Sequence, residues 1–452
     1  MGTLIGGSLF KNDWSQFKKK GVPGMEKDFD VIVVGGGLSG LSAAYTMAEA
    51  GLEVLLLERG DYSGAKNVTG GRLYVNPVRD MFPDLWKKAP LERFIAHEEV
   101  SLMDKERSIT VRYDGSELAQ EPYQSYSILR GKFDKNFAKV TERKGVSIVT
   151  KSRVDDLIIE NGKVEGVMAG EDALTSNIVI ACDGVLSLLA EKAGLRKPGA
   201  AKDHAVGFKE IIELDRTIIE DRFNLEGDEG VARLYMGEVT RGKFGGGFLY
   251  TNKESISLGI VVGIKDLTEA PLVQAPDLLD AFKQRPEVAR LIKGGQTSEY
   301  SAHVIPEGGL NSMGKLFGEG IIIAGDAAGF SMNIGVTVRG MEYAMATGYY
   351  AAQAAIKAKE AGDYSAASLA VYEKLLNDSF VMKDFKNFKD APHALDNPRF
   401  FNRYPQLAGD IMRDLYEMPN GPKARIYPTM MKHIKFKEMF AFLKDFKGVR
   451  KI

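Results

Sequence analysis

The stretch "VIVVGGGLSGLSAAY", Val31 to Tyr45, decides how this chain is read. A run of Val and Ile enters a glycine-rich turn, and a helix-forming stretch rich in Leu and Ala leaves it. That is a buried strand, a tight turn and a helix. In the pattern Gly35-x-Gly37-x-x-Gly40 each glycine has a separate task. Gly35 makes the turn, Gly37 lets the backbone approach a pyrophosphate, and Gly40 lets the helix lie close on the strand. The start of the helix offers free N–H groups and the positive end of its dipole to an anion. The helix is expected to end at Gly51, and "LEVLLLER" follows as a second buried strand. That strand ends on Glu58, about 20 residues past the glycines, where an acid accepts ribose hydroxyls and disfavours a 2′-phosphate. The β-α-β unit therefore predicts a dinucleotide site, without choosing between a nicotinamide and a flavin.

With 452 residues the chain exceeds one ordinary core, so two or three domains are expected. Lys+Arg 60 against Asp+Glu 61 argues against nucleic acid as the main partner. Cys182 is the single cysteine, so the chain forms no internal disulfide, CxxC pair or cysteine-held iron–sulfur cluster. A reducing compartment is expected, no metal site is expected, and any cluster must sit on a partner. No run of eighteen apolar residues occurs, so a transmembrane helix is not expected. In residues 1–26 the lysines follow a short apolar piece, which is the wrong order for a signal peptide, and a disordered leader is expected there.

Further strands are predicted in "VSIVTKSRVDDLIIENGKVEGVMAG", with a hairpin turn at Asn161-Gly162, and in "SNIVIACDG". Between Ala201 and Glu307, alternating segments such as "AVGFKEIIEL" and "SISLGIVVG" predict a mostly antiparallel sheet with helical insertions such as "PDLLDAFKQRPEVARLI". The stretch "GEGIIIAGDAAGF" then returns to the buried-strand pattern. It delivers Asp326 into a turn of small residues at a helix start, where an acid can bind a polyol hydroxyl. FAD carries a ribitol and NAD does not, so the pairing of this turn with the first favours FAD. The following "NIGVTVRG" offers a second turn whose N–H groups can face negative charge on a reduced ring. Arg130 opens a predicted helix as a candidate anchor for the cofactor, the alternative being a solvated salt bridge. Asp183-Gly184 ends a strand, where the acid faces the nucleotide or caps a helix. There is no second GxGxxG, so a separate nicotinamide domain is not expected.

Together these motifs resemble the FAD-dependent electron transfer flavoprotein–quinone oxidoreductase family, in particular its FixC-like branch. The more specific matches are "GDYSGAKNVTGGRLY" (Gly60 to Tyr74), "GGGFLYTNKESISLGIVVG" (Gly245 to Gly263) and "EYSAHVIPEGG" (Glu299 to Gly309). The resemblance implies an α/β architecture: a glutathione-reductase-like FAD-binding Rossmann fold, an inserted mostly antiparallel sheet domain and a helical C-terminal region. The expected division is an FAD-binding domain from 27–80, 126–195 and 309–362, a quinone-side segment at 81–125, a second sheet at 196–308 and helices at 363–452. The expected cofactor-binding set is Gly35, Gly37, Leu38, Ser39, Gly40, Glu58, Arg59, Arg130, Val154, Asp183, Gly184, Gly325, Asp326, Gly335, Val336 and Thr337. Lys66 and Asn67, in the Ala65–Val68 loop, join Thr337 as expected flavin-face residues. The resemblance further implies electrons taken from electron transfer flavoprotein subunits and passed towards a quinone, through or beside a ferredoxin-like, FixX-type subunit. One cysteine departs from the long single-chain members, which carry the cluster themselves.

Outer-sphere electron transfer needs a bound flavin and close docking rather than acid–base machinery, and the five scattered histidines suit that. His303 is expected to pack in a strand. The rival readings are a geranylgeranyl-reductase-like saturase of prenyl chains, an aromatic-ring monooxygenase and a flavin-bearing scaffold subunit. Near the C-terminus, Phe436, Met439, Phe440, Leu443 and Phe446 recur at helical spacing among lysines. Such a helix attaches peripherally to an anionic membrane, docks a partner or packs on the protein's own core. A cytoplasmic chain, peripheral at the inner face of the cell membrane, is the expected setting.

Overall fold

The computed structural model describes residues 27–67, 70–269 and 274–450. The expected leader at 1–26 and Val68 of the expected flavin-face loop lie outside them. The β-branched run Phe29–Val34 is the middle of a parallel sheet whose order is 321–323, 172–181, 29–34, 54–57, 147–149. Both faces of this sheet are covered, so its central strands read as continuous hydrophobic runs instead of alternating ones. Ile32, Leu55, Ile180 and Ile322 are all fully buried. The helix Leu38–Glu49 packs on one side, and Gly51 closes it at φ +79°. The hairpin 156–160/163–169 extends the sheet, turning at Asn161 and Gly162 with both φ positive, as an Asn-Gly type I′ turn requires.

The second sheet runs in the order 296–306, 204–213, 255–263, 245–251, 229–237, 91–103, 125–128, 71–74. Every pair along it is antiparallel except 229–237 with 91–103, which is parallel. It is therefore wider than the 196–308 segment, because 71–128 contributes four of its nine strands, 108–114 pairing with 91–103 off the main order. Beneath it the insertion forms two helices, Ala275–Gln284 and Pro286–Ile292, broken at Arg285 because the next residue is proline. Leu278, Leu279 and Phe282 pack into a second hydrophobic core with Leu249, Leu258 and Ile260.

The long helix Met341–Ala361 returns across the first domain and ends at Gly362, φ +64°. It crosses the helix Leu38–Glu49 closely: a Cβ at Gly348 would stand 2.1 Å from the Ser39 carbonyl oxygen. Beyond Tyr364 the chain is helical, ending with Arg403–Tyr416, Ile426–Met431 and Phe436–Val449. Among the described residues no helix is long and apolar enough to cross a membrane.

Candidate cofactor and electron-transfer site

One cavity of about 770 Å³ separates the two sheets. Its nucleotide end is built at the C-terminal edge of the parallel strands, where open α/β sheets bind ligands. Gly37 caps the helix Leu38–Glu49 with extended backbone, and the first turn of that helix carries no acidic residue. The positive helix end therefore faces the cavity with no acid from its own first turn against it. A Cβ built on Gly37 meets no protein atom within 4 Å, so this backbone is open to a ligand. A Cβ on Gly40 would lie 1.9 Å from the Gly35 carbonyl, and one on Gly35 2.2 Å from the Cys182 carbonyl. Gly35 and Gly40 are thus demanded by the protein's own packing, whereas nothing in the protein fills the space beside Gly37.

Glu58 stands at the same end, buried, accepting the N–H of Gly36 at 2.8 Å and of Gly60 at 2.5 Å. Each oxygen retains a lone pair for a further donor. Asp183 divides its two oxygens: Oδ2 accepts the Leu189 N–H at 3.1 Å, and Oδ1 is buried with no partner among the described residues. Both readings of Asp183 made on the sequence therefore apply to it, since it caps a helix start and also lines the cavity. The Cys182 thiol beside it is pushed up to about 12 by burial, so it is an inert packing group.

Midway, Asp326 projects from the turn after the strand Ile321–Ile323. No donor among the described residues bonds its carboxylate. Enclosure pushes it up to about 6 against the opposing pull of Arg130. Arg130 itself is held by Asp134, with Nε at 2.8 Å and Nη2 at 2.7 Å. It is thus both cavity wall and one half of an ion pair, its Asp134 partner being fully buried. Asn67 donates to the same Asp134 at 2.6 Å, so its amide steadies the Arg130 anchor as well as lining the cavity. Lys66 and Arg59 are exposed at the rim, and Val154 lies beside them.

Of the expected set, Gly35, Gly37, Leu38, Ser39, Glu58, Arg59, Lys66, Asn67, Arg130, Val154, Asp183, Gly184, Asp326 and Gly335 share this one wall. Gly40, Gly325, Val336 and Thr337 do not. Gly40 and Gly325 sit behind it as packing positions: a Cβ on Gly325 would be 2.8 Å from that of Ser39. Val336 and Thr337 are not among the residues that line the cavity. The strand pair Met332–Asn333/Val338–Arg339 closes a small hairpin whose tip points outward, leaving Val336 60% exposed. The cavity is faced instead by Asn333, Gly335, Val338, Arg339, Gly340 and Met341.

The opposite wall belongs to the second sheet. Val100, Leu234, Phe244, Phe248, Tyr250 and Val261 make it apolar. Four polar groups interrupt it: Arg72, Lys209, His303 and Glu307. Arg72 is paired bidentately with Glu98 and lies 4.3 Å from the Tyr74 ring centroid. Lys209 donates to the Gly70 carbonyl, and desolvation holds its amine well below the usual range. His303 sits in its strand as expected, with its side chain on the cavity. Burial lowers its pKa first, and Arg130, Arg59 and Lys209 lower it further. Spacing could not reveal these groups, because strands far apart in the sequence bring them together. At the far end Leu395 and Phe401 of the C-terminal region close the cavity, Phe401 lying edge-on to Phe244 at 5.7 Å.

A helix end with no acid in its own first turn, carboxyls with acceptor capacity to spare along the cavity and a flat apolar wall fit a dinucleotide with a polyol chain and a ring system. The fold and this site define an FAD-dependent oxidoreductase. Residues 30–204 match the FAD dependent oxidoreductase family model, and residues 391–452 match the ETF-QO/FixC family C-terminal domain. The chain is 43% identical over 417 residues to the probable electron transfer flavoprotein-quinone oxidoreductase YdiS of Escherichia coli, covering 92% of this chain and 97% of that one. It is 44% identical over 425 residues to protein FixC of Salmonella typhi, covering 94% and 99%. Protein FixC of Bradyrhizobium diazoefficiens is 40% identical over 406 residues, covering 88% and 92%. This chain belongs to the ETF-QO/FixC family. Among solved structures it resembles a geranylgeranyl bacteriochlorophyll reductase-like protein of Thermoplasma acidophilum, with TM-score 0.68, 23% identity, and 92% and 98% of the two chains covered. It also resembles a myxobacterial FAD-dependent chondrochloren halogenase, with TM-score 0.64, 18% identity and 86% and 89% covered. At these identities the likeness is one of fold.

Proposed function

We propose that this protein accepts electrons from an electron transfer flavoprotein and passes them towards a quinone, through or beside a ferredoxin-like subunit, at a membrane surface. The single observation that carries the reading is the course of the cavity. It runs from the nucleotide end, along an apolar wall, to Leu395 and Phe401 of the helical C-terminal region. That region bears the most exposed large apolar side chains among the described residues: Tyr416 at 77%, Met418 at 75% and Tyr427 at 72%. A planar apolar acceptor suits such a route.

FAD supplies the electron-transfer chemistry when bound. The residues of the chain hold and screen it. The Gly35–Ser39 turn takes the pyrophosphate, Glu58 the ribose, and Asp326 with Arg130 the polyol chain. Arg59, Lys66, Val154, Asp183, Gly184 and Gly335 complete the wall. The second sheet excludes water from the ring, which shields charge inside the cavity.

The helix Phe436–Val449 is held to the body by charge on one side. Arg399 and Tyr404 bond Asp445, and Arg403 bonds Glu438 at 2.8 Å. Its outer side exposes Leu443 and Phe446 near Lys444, Lys447 and Arg450; the side chain of Phe436 lies outside the described residues. A basic helix with an apolar face seats in an anionic lipid interface. Paired substitution Leu443→Glu with Phe446→Glu therefore abolishes binding to vesicles containing anionic lipid and leaves FAD content intact. Unchanged vesicle binding refutes the membrane seat.

Stopped-flow reduction tests the electron path. A reduced electron transfer flavoprotein should reduce the bound flavin, and NADH and NADPH should not. Rapid reduction by a nicotinamide would overturn the proposal in favour of a saturase or monooxygenase.

A further inference from the structure

Glu307 follows the last residue of the edge strand Gln296–Pro306 and is fixed at both sides. Its N–H donates to the Asp203 carbonyl at 2.8 Å, and the Ser331 hydroxyl donates to the Pro306 carbonyl at 2.7 Å. Its side chain is enclosed by protein yet keeps surface on the main cavity. Together with Ser331 and Asn333 it also lines a second, smaller void of about 10 Å³ behind that wall. A void needs roughly 10–15 Å³ to hold one water. The outer side of this one is formed by Gly309, Leu310 and Pro392, all half-buried. Glu307 therefore lines both the cofactor cavity and a void at the lower limit of the size that holds one water.

Its electrostatic surroundings are sparse. Asp203 and His204 lie on the neighbouring strand's start, His303 on its own strand, Arg339 on the hairpin, and Asp384 and His393 on the helices beyond the void. None of these forms an ion pair with it. Arg339 is committed to Glu342 at 2.6 Å and Asp384 at 2.7 Å. The partner of the carboxyl is the Asn333 side chain, whose Oδ1 already accepts the Gly335 N–H at 2.9 Å, leaving its amide N–H₂ to donate. Enclosure pushes the Glu307 carboxyl up to about 7, and the Asn333 hydrogen bond only partly opposes this.

We propose that Glu307 is a redox-linked proton site. Its carboxylate takes one proton from water in the small void as two electrons enter the cofactor, and returns it when they leave. The electrons come from the reductant and the proton from solvent. An O–H bond forms at Glu307, and no bond to the cofactor is made or broken there. The physical cause is charge: negative charge added to a water-poor cavity favours the neutral form of a carboxyl on its wall. The inference rests on FAD occupying this cavity and is independent of which protein delivers the electrons.

The test reduces the FAD-loaded protein electrochemically, with no protein partner present, and counts protons taken up per two electrons across the pH range either side of 7. Wild type takes up more protons near pH 7 than Glu307→Gln, and the potential of the variant loses the corresponding pH-dependent component. Equal proton uptake and equal pH dependence in a variant that retains FAD overturn the proposal. If Glu307→Gln fails to hold FAD, infrared difference spectra of the wild type decide. Reduction should produce the carbonyl band of a protonated carboxyl, and Asn333→Ala should shift that band. Absence of the band overturns the proposal. Wild type failing to bind FAD would instead refute the cofactor reading on which it rests.

Discussion

Gly37→Val separates a glycine needed by the ligand from one needed by the fold. The Gly37 backbone has φ −80° and ψ −176°, which any residue adopts, and a Cβ there touches no protein atom within 4 Å. The cofactor-free variant should therefore fold with wild-type stability, within about 1 kcal/mol for an exchange at a compatible backbone position. The new side chain occupies the space in which the pyrophosphate meets the helix end. Overpacking of that kind costs about 1–3 kcal/mol, and 1.4 kcal/mol is roughly tenfold in affinity. FAD binding should weaken by up to about two orders of magnitude. Gly40→Ala is the contrast, because its Cβ would stand 1.9 Å from the Gly35 carbonyl oxygen and the backbone itself must move. That variant should lose thermal stability even without cofactor. The assay is equilibrium FAD binding by quenching of flavin fluorescence, paired with thermal unfolding of both apo-proteins. Wild-type FAD affinity in Gly37→Val would refute the placement of the pyrophosphate. Loss of apo-protein stability in that variant would refute the claim that the position is open.

Asp326→Ala removes the carboxyl that no donor among the described residues satisfies and should lower FAD retention on gel filtration without lowering apo-protein stability; equal retention would remove Asp326 from the site. Acid should release the last helix before the body of the fold. Arg399 first, then the hydrogen bond from Tyr404, holds the Asp445 carboxyl at about 2, below its unfolded value. This contribution is complete above the unfolded carboxylate range near pH 4 and is lost as pH falls from there towards about 2. Limited proteolysis should therefore cut near residues 417–435 first over that interval, and cleavage independent of pH would refute the charge-held attachment. Arg399→Gln should produce the same susceptibility at neutral pH.

The nucleotide end of the site was legible because its signals are local. Strand, turn, helix and acid succeed one another within 28 residues from Val31 to Glu58, and each has a period or a backbone demand of its own. The opposing wall was not. Arg72, Lys209, His303 and Glu307 come from strands that meet only through the register of a sheet eight strands across. Lys209 reads in sequence as one more solvent-facing lysine in an alternating strand. The signal available for Glu307 was an acid directly after such a strand and directly before Gly308-Gly309. The turn at Gly335, Val336 and Thr337 was recognised as a turn, but its aim was not, because the outward tilt is set by pairing of Met332–Asn333 with Val338–Arg339. On the last helix, spacing revealed the apolar stripe without showing which side would be bare. That was decided by Asp445 and Glu438, which turn the charged edge inward to Arg399 and Arg403.

The walls of the large cavity come from Val34 at one extreme of the chain and Phe401 at the other, with both sheets contributing. A ligand that fills it therefore acts as a fastener between two separately cored halves. Ligand binding restricted to the native state adds RT ln(1 + [L]/Kd), about 4 kcal/mol when free cofactor is a thousandfold above its dissociation constant. Against the 5–15 kcal/mol that typically separates folded from unfolded protein, that is a substantial share. Flavin supply then bears on how much of this chain stays folded as well as on how much of it is loaded.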